Sequence, residues 1–327
     1  MDSPWRADGE WLRAALHAHS TNSDGELSAR GVAQHYGRGG YDVVALTDHW
    51  HRSEAPSTAR LLVLPGVELN CLLPEDRDGH VLGIGIERDP AELEGERRGL
   101  AETAEWIVAA GGVAYLAHPY WTGVRPAGFE LPASVAGIEV FNAGCELEVG
   151  RGLSSVHWDE LLQDGRSCPA LVTDDSHHPG FDSDHAWTWL RAERTAESVL
   201  SALREGRFYG STGPVIHDVE SGDGEVVVHC TPSRSVTLLT GKTSGTAANA
   251  GRLGYRYGAE VLDTTADGLI VRLRIVAVAD APISKPRTVS PPLMLSPAAP
   301  APSIVTFLPI VRADRLVIVW PASVGAK

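Results

Sequence analysis

The stretch LHAHSTNSDG, residues 16–25, decides how this chain folds and where its chemistry lies. It ends an apolar run that is typical of a buried strand, and it places His17 and His19 two residues apart. Residues i and i+2 of a strand point to the same side, so both imidazoles can reach one metal ion. One His-x-His pair is weak evidence, because a histidine at a strand end often bonds a backbone carbonyl instead. The rest of the chain has to supply matching ligands.

Matching ligands do follow, each at the end or the start of a short apolar run. Asp175 and His177, in TDDSH, repeat the i, i+2 spacing far along the chain. The candidate metal ligands are six histidines and three carboxylates: His17, His19, Asp24, His49, Glu68, His80, His118, Asp175 and His177. Nine ligands are too many for one ion, so the sequence predicts two or three divalent cations. A mixed imidazole and carboxylate set suits Mn²⁺, Fe²⁺ or Zn²⁺.

Apolar runs that are typical of buried strands alternate with helical segments over residues 11–214. The runs are residues 12–17, 41–47, 60–69, 80–86, 112–118, 136–142 and 168–174. A further strand, AWTWLRA, and a helix, AESVLSALREG, close the region near GRFYGSTGP. This alternation predicts an α/β fold of βα units with a mostly parallel sheet or barrel, whose strand ends carry the ligands.

The pattern changes after residue 214. Segments such as GEVVVHC and GLIVRLRIVAV alternate with turn signals, which predicts a small antiparallel β module over residues 215–280. Residues 281–327 hold 9 of the 21 prolines and a single acidic residue. This proline spacing opposes regular strand pairing across most of the tail, although LVIVW within it can add one edge strand.

Charge is divided unequally along the chain. Residues 1–217 carry 33 Asp and Glu against 17 Arg and no Lys, whereas residues 218–327 carry 9 acidic and 11 basic residues. An acidic field favours cations and repels a phosphate backbone, so we expect no nucleic-acid polymer as partner. Surface acidity also serves solubility, and that explanation stays open.

Several classes of protein are disfavoured by composition. The sequence has no signal peptide and no apolar run of membrane-spanning length, so we expect a cytoplasmic protein without a membrane partner. The four cysteines are scattered without a CxxC pair, which predicts reduced thiols and neither a disulfide framework nor a thiolate zinc site. The oligomeric state is not indicated.

Over residues 11–217 the chain resembles the PHP superfamily, named for polymerase and histidinol phosphatase. The motifs that carry the resemblance are LHAHSTNSDG, ALTDH, GVE, GHVLGIG, AHP and DDSH. EVFNAG (139–144) and ALREGRFYGSTGP (202–214) resemble the branch that includes carbaryl hydrolases. The resemblance implies a distorted barrel of seven βα units, with the metals at the carboxyl ends of the strands.

The resemblance also implies how the ligands divide among the ions. The first ion would be held by His17, His19, Glu68 and Asp175. The second would be held by Glu68, His80 and His118, so that Glu68 bridges the two. The third would be held by Asp24, His49 and His177, with Asp24 where some members have histidine. Asp174 stands where the family usually has a small residue, which raises the question of which aspartate is the ligand.

Such a cluster predicts metal-dependent hydrolysis, because coordination lowers the pKa of water toward neutrality and the ions offset charge in a phosphoryl displacement. We expect a phosphoesterase for a small-molecule ester, with a metal-bridging hydroxide as the nucleophile. Two alternatives stay open: a carboxylic or carbamic ester hydrolase on the same site, and a catalytically silent PHP module. An amidohydrolase-type barrel with a carboxylated lysine is disfavoured, because the only lysines are Lys242, Lys285 and Lys327, beyond the barrel.

A few residues outside the ligand set are candidates for other roles. His178 is a candidate acid for the leaving group. Asp48 either orients a ligand histidine or caps the following turn. Arg125 and Asn142 are candidate substrate-binding residues, and Trp121, directly after HPY, is a candidate for lining the pocket.

Overall fold

The computed structural model of the chain describes residues 4–93, 95–127, 130–222, 225–233, 235–239, 245–249, 256–257, 259–264, 268–274, 305–306 and 315–319. By its internal contacts the chain divides into two compact units, Met1–Gly210 and Ser211–Lys327. Among the helices of the described residues, none is both long enough and apolar enough to cross a membrane.

Nine strands form a nearly closed, barrel-like sheet in the first part of the chain. They are β1 Glu10–Ala15, β2 Val43–Leu46, β3 Leu62–Leu73, β4 Arg77–Ile84, β5 Val113–Ala117, β6 Val135–Asn142, β7 Ala170–Thr173, β8 Trp187–Ala192 and β9 Phe208–Ser211. Their order in the sheet is β9-β8-β1-β2-β3-β4-β5-β6-β7. The first seven correspond to the seven runs identified in the sequence. The predicted count of seven is nevertheless too low for the sheet, because β8 and β9 extend it beyond β1.

Both strand directions occur in this sheet. The pairs β1–β2, β2–β3, β5–β6 and β6–β7 are parallel. The strand β4 is antiparallel to both of its neighbours, and β8 is antiparallel to β1. Only the short turn Pro74–Asp76 joins β3 to β4, and a parallel pair would require a much longer crossover. The expectation of a mostly parallel sheet therefore fails at β4 and β8.

Six helices accompany these strands: α1 Ala29–Arg38, α2 Leu100–Ala109, α3 Pro119–Thr122, α4 Ala143–Val149, α5 Ser155–Gln163 and α6 Ala196–Glu205. Side chains fix the starts of several of them. Ser28 accepts a hydrogen bond from the Gly31 N–H at the start of α1, and Thr195 accepts one from the Ser198 N–H at the start of α6. Such caps satisfy backbone donors that have no partner within the helix.

Alternation along the strands separates two apolar clusters. Val43 and Ala45 of β2 belong to the larger cluster, which gathers side chains from β1, β3, β4, β5, β7 and β8. Val44 and Leu46 point to the opposite side, where Tyr36 of α1 covers them. Buried faces of this kind hold the rim of the sheet rigid where the candidate ligands lie.

The sheet closes between β7 and β8 through a side chain. The Thr188 hydroxyl donates to the Val172 carbonyl at 3.0 Å and accepts from the Val172 N–H at 3.2 Å. No strand pairing joins β7 to β8 in the described residues. At this seam the Thr188 hydroxyl, together with a single backbone bridge between Ala18 and Ser176 at the rim, takes the place of a regular ladder.

The second unit contains β10 Ile216–Gly222, β11 Glu225–Cys230, β12 Ser235–Leu239, β13 Gly245–Asn249, β14 Arg256–Tyr257, β15 Ala259–Thr264, β16 Leu269–Arg274, β17 Val305–Thr306 and β18 Arg315–Val319. Four of them form an antiparallel sheet in the order β10-β11-β16-β15. The strand β18, which contains most of LVIVW, pairs in parallel with β12 and also with β17, so it is not the edge strand that was expected. The remaining residues of 281–327 lie outside the described residues.

Candidate metal centre

Four buried side chains converge at one rim of the barrel-like sheet: His17, His19, Glu68 and Asp175. The Nε2 atoms of His17 and His19 are 3.1 Å apart. Asp175 Oδ1 lies 3.0 Å from the first nitrogen and 3.1 Å from the second. Glu68 Oε2 lies 3.1 and 3.2 Å from the same two nitrogens. The two ends of the predicted ligand series therefore meet at one point.

The other oxygen of Glu68 faces a different pair of histidines. Glu68 Oε1 lies 2.8 Å from His80 Nδ1 and 3.2 Å from His118 Nε2. A carboxylate that turns its two oxygens to two separate sets of nitrogens has the geometry of a bridging ligand. We call the six residues His17, His19, Glu68, His80, His118 and Asp175 the inner group.

Three further candidate ligands lie beside the inner group, nearer to solvent. Asp24 Oδ1 is 3.5 Å from both His19 Nδ1 and His177 Nε2, and Asp24 Oδ2 is 3.7 Å from His49 Nε2. His49 Nδ1 is also 3.4 Å from Glu68 Oε2, which joins these residues to the inner group. The side chain of Asp24 is 54% exposed. We call Asp24, His49 and His177 the outer group.

Backbone pairing aligns the first and last ligand segments. The Asp175 N–H donates to the His17 carbonyl at 3.1 Å, and the His19 N–H donates to the Ser176 carbonyl at 2.9 Å. Ala18, between the two histidines, packs into the cluster beneath α1. Strand alternation then turns both histidines to the opposite side, toward Asp175.

Strand direction explains why some ligands follow their apolar runs and one precedes its run. Glu68 lies on the same face of β3 as Leu64, and His80 lies on the same face of β4 as Leu82, which is in the larger cluster with Leu64. Because β4 is antiparallel to β3, its beginning reaches the rim where the parallel strands end. The histidine of GHVLGIG therefore comes before its apolar residues.

Glu139 holds the inner group from behind, and sequence analysis did not assign it a role. It is fully buried, and its Oε1 accepts hydrogen bonds from His17 Nδ1 at 2.8 Å and from the Thr173 hydroxyl at 2.6 Å. Its Oε2 accepts from the His118 backbone N–H and from Asn142 Nδ2, both at 3.0 Å. With its Nδ1–H donated to Glu139, His17 presents an unprotonated Nε2 to a metal ion. The signal was a single carboxylate inside the apolar strand IEVFN, because a buried charge requires partners.

The buried carboxylates and histidines shift one another's pKa values. Burial alone lowers the pKa of His19, but the hydrogen bonds to Asp175 and Glu68, together with the charges of these carboxylates, outweigh burial and raise the pKa to about 9. Burial opposes ionisation of Glu68 and Asp175, yet the surrounding histidines hold the pKa of both well below the usual range. These carboxylates therefore require positive charge beside them, which protons or divalent cations can supply.

The spacing of the inner atoms matches that of ligands around a metal ion. Ligand atoms about 2.1 Å from one ion, at angles of about 90 to 110°, lie about 3.0 to 3.4 Å from each other. The five separations given above for His17, His19, Glu68 Oε2 and Asp175 Oδ1 lie between 3.0 and 3.2 Å. The residues present therefore fit a divalent cation.

Two ligand residues have strained backbones. His118 has a φ of 25° and Asp175 a φ of 56°, in the left-handed region that side chains with a Cβ rarely adopt. Strain of this kind persists where the surrounding structure enforces it, and it is concentrated at functional sites. The surrounding structure therefore holds both side chains in place at a cost in backbone conformational energy.

Asp48 and Asp174 bond to the backbone and to hydroxyl groups. Asp48 accepts from the Ser20 N–H at 2.6 Å and from the Ser20 and Ser23 hydroxyls at 2.7 and 2.8 Å. No hydrogen bond in the described part of the chain joins Asp48 to a ligand histidine, so it caps the turn that leads to Asp24.

Both carboxylate oxygens of Asp174 accept hydrogen bonds from groups that lie outside the metal centre. It accepts from the backbone N–H groups of residues 184, 185 and 186 at 2.9, 3.0 and 2.8 Å, and from the Tyr36 hydroxyl at 3.0 Å. Burial raises its pKa to about 7 against these bonds. Of the two adjacent aspartates, only Asp175 faces the histidines.

The three other candidates lie outside the two ligand groups. Asn142 is fully buried, and its amide is engaged: Nδ2 donates to Glu139 and Asp175, and Oδ1 accepts from the Cys145 N–H. It supports the centre from behind, and its contact with a substrate stays a prediction.

Arg125 and His178 are on the surface. The side chain of Arg125 is 78% exposed and pairs with Glu75 at 3.2 Å. The side chain of His178 is 60% exposed, with Nδ1 3.8 Å from Glu26. Neither is near the inner ligand atoms by any contact of the described residues.

Two residues beside the centre complete its surroundings. The buried thiol of Cys145 lies 4.0 Å from Asp175 Oδ2, a position that the scattered cysteines of the sequence did not indicate. The Trp121 ring is centred 5.6 Å from that of His80 and 5.0 Å from that of His118, and the side chain is 37% exposed. Trp121 therefore lines the solvent side of this part of the inner group.

The comparisons with known proteins concern the fold. No family model matches the sequence, and comparison with curated proteins finds no significant match. Among solved structures, the chain is similar to a two-domain protein from Bacteroides vulgatus that contains a predicted PHP-like metal-dependent phosphoesterase. The TM-score is 0.50 and the identity 16%, over 82% of this chain and 88% of that chain.

Two further structures are less similar. A lesion-specific endonuclease from Pyrococcus furiosus gives a TM-score of 0.42 at 14% identity, over 60% of this chain and 56% of that chain. An amidohydrolase from Chromobacterium violaceum gives 0.34 at 18% identity, over 52% of this chain and 89% of that chain. The similarity to the Bacteroides structure is one of fold.

Proposed function

We propose that this protein is a metal-dependent hydrolase that cleaves phosphate esters of small molecules. The observation that carries the proposal is the position of Glu68, whose two oxygens face two sets of histidines while the outer group adjoins them. Three neighbouring cations would place more positive charge in the site than the cleavage of a neutral ester requires. An anionic phosphoryl group can bind to all of them.

The side chains divide the work of holding the ions. His17, His19, Asp175 and Glu68 Oε2 would hold the first, His80, His118 and Glu68 Oε1 the second, and the outer group the third. When bound, the ions would lower the pKa of water and offset charge on the ester oxygens. Glu139 keeps His17 in the tautomer that leaves Nε2 free. His178, which directly follows His177 and is 60% exposed, is the candidate to protonate the leaving group.

The partly exposed outer group also sets the direction of approach. Asp24, His49 and His177 are accessible, whereas the nitrogens of His17 and His19 are buried. A substrate therefore meets the outer group first. The Bacteroides protein described above contains a phosphoesterase of the predicted PHP-like kind, which agrees with the proposed reaction class.

Three esters of one leaving group test the proposal: nitrophenyl phosphate, nitrophenyl acetate and nitrophenyl methylcarbamate. Each is offered to the full chain loaded separately with Mn²⁺, Fe²⁺ or Zn²⁺. We expect release of nitrophenol from the phosphate, competitive inhibition by inorganic phosphate, and a loss of activity in His177→Ala. The control His185→Ala, which removes a nearby histidine outside both ligand groups, should leave activity unchanged.

Other results would redirect the proposal. Turnover of the acetate or the methylcarbamate without turnover of the phosphate would assign the chain to carboxylic or carbamic esters, as its resemblance to the carbaryl-hydrolase branch suggests. Bound ions without turnover of any of the three esters would favour a silent binding module.

A further inference from the structure

We propose that Arg77 and Arg151 form an anion-binding site beside the metal centre, which receives a second negatively charged group of the substrate, a phosphate or a carboxylate. We call these two residues the arginine pair. The inference rests on the proposed function for the nature of the ester bond. The anion site itself can be measured without turnover.

The arginine pair converges on Gly123, the residue that ends α3. One terminal nitrogen of each guanidinium lies 3.8 Å from the point that a Cβ on Gly123 would occupy. The two nitrogens are therefore at most twice that distance apart. Gly123 has a φ of 73°, so the turn selects glycine and leaves this space without a side chain.

The arginine pair has no carboxylate within ion-pair distance in the described part of the chain. Two carboxylates near Arg77 in the sequence pair elsewhere: Glu75 with Arg125 at 3.2 Å, and Asp78 with Arg97 at 3.6 Å. The two guanidinium charges repel each other, and an anion between them would offset the repulsion. Guanidinium groups also donate in the forked geometry that phosphate and carboxylate oxygens accept.

A strip of exposed aromatic surface joins the centre to the arginine pair. Trp121, 37% exposed, contacts the rings of His80 and His118. Tyr120, 42% exposed, has its ring centre 5.7 Å from the guanidinium carbon of Arg151. The four residues of α3 lie between His118 and Gly123 and extend about 6 Å along the helix axis, at 1.5 Å per residue. A small substrate can span this distance with one anionic group at each end.

Matched substrates test the inference in the metal-loaded full chain. Hexyl phosphate has one anionic end, whereas hexanediol bisphosphate and phosphorylated hydroxyhexanoate have a second one. We expect Arg77→Ala and Arg151→Ala each to raise KM about tenfold for the doubly anionic compounds, and to change KM for hexyl phosphate less than about twofold. Arg38→Ala is the control, since Arg38 is an exposed arginine at the end of α1 and belongs to neither ligand group.

The two doubly anionic compounds distinguish the recognised group. A KM effect confined to the bisphosphate identifies phosphate, and one confined to the hydroxyhexanoate derivative identifies carboxylate. An equal loss for all three substrates would overturn the inference, because the arginines would then act on the centre itself. Unchanged KM values in both variants would overturn it as well.

A binding measurement separates this inference from the proposed function. Hexanediphosphonate and hexylphosphonate cannot be hydrolysed, and calorimetry gives their affinities for the metal-loaded chain. We expect the diphosphonate to bind about tenfold more tightly to the wild type and to Arg38→Ala, and this advantage to vanish in both variants of the arginine pair. If no ester is hydrolysed but this pattern holds, the proposed function fails and the anion site stands. If the diphosphonate and hexylphosphonate bind equally tightly in the wild type and in the Arg38, Arg77 and Arg151 variants, the anion site is excluded.

Discussion

The inner and outer groups use the same kinds of ligand but differ in support. In the inner group, the atoms facing one ion lie 3.0 to 3.2 Å apart in a buried setting, and Glu139 fixes His17 from behind. In the outer group, Asp24 is half exposed and its oxygens lie 3.5 to 3.7 Å from the histidines. Preorganised ligands lose less freedom on binding, so the inner ions should be held permanently and the outer ion exchangeably.

Glu68→Gln should have the largest effect, because it weakens the bridge on which both inner positions depend. We expect the loss of two ions per chain and a fall in hydrolytic rate of about 10³-fold or more. Elemental analysis of protein purified without chelator, together with kinetics, measures both. Glu105→Gln, an exposed carboxylate on α2, is the control. Loss of one ion only would show that Glu68 serves a single position.

Glu139→Gln tests whether support from behind distinguishes the inner group. The amide keeps the shape but no longer offers a negative oxygen to His17 Nδ1. Metal affinity should fall by about 10- to 100-fold, as measured by competition with a chelating dye. Circular dichroism shows whether the fold is kept. An unchanged affinity in a folded variant would contradict the role given to Glu139.

Removal of the outer ion should be the easiest step. Dialysis against rising chelator concentrations should release about one ion per chain before the others, and His177→Ala should lack that ion from the start. Phosphate ester turnover should fall about tenfold in both preparations, since the substrate loses one cation of three. Simultaneous release of all ions would mean that the two groups bind cooperatively and that the distinction drawn here is wrong.

Asp174→Ala should have the smallest effect on the metals. Its four hydrogen bonds link the backbone of residues 184–186 and Tyr36, and their loss should reduce the free energy of unfolding by about 3 kcal/mol. Urea unfolding of metal-free protein measures that loss, and elemental analysis should find the ion count unchanged. Asp175→Ala should instead lower the ion count and change the free energy of unfolding of the metal-free protein little. Ion loss in Asp174→Ala at a temperature where it is folded would reverse this assignment.

The part of the site that could be predicted from the sequence is the part that depends on residue type and local spacing. Histidines two apart at a strand end, as in His17 and His19, must point the same way, and that geometry is local. Support from behind is not local: Glu139 meets His17 because β6 pairs with β7, whose end lies beside the end of β1. The direction of β4 and the use of the Asn142 amide depend on pairing partners that a single sequence does not reveal.

The threonine seam between β7 and β8 has a consequence for how the barrel opens. Regular backbone pairing joins the other neighbouring strands from β8 to β7. This seam has only the Thr188 bonds and, at the rim, two backbone hydrogen bonds between residues 17–19 and 175–176, so local opening of the metal-free chain costs least along this line. Asp175 follows β7, whereas His17 follows β1 on the other side of the seam. An ion shared by them would add to the two rim hydrogen bonds across the seam, so that metal exchange would be coupled to local opening of the barrel.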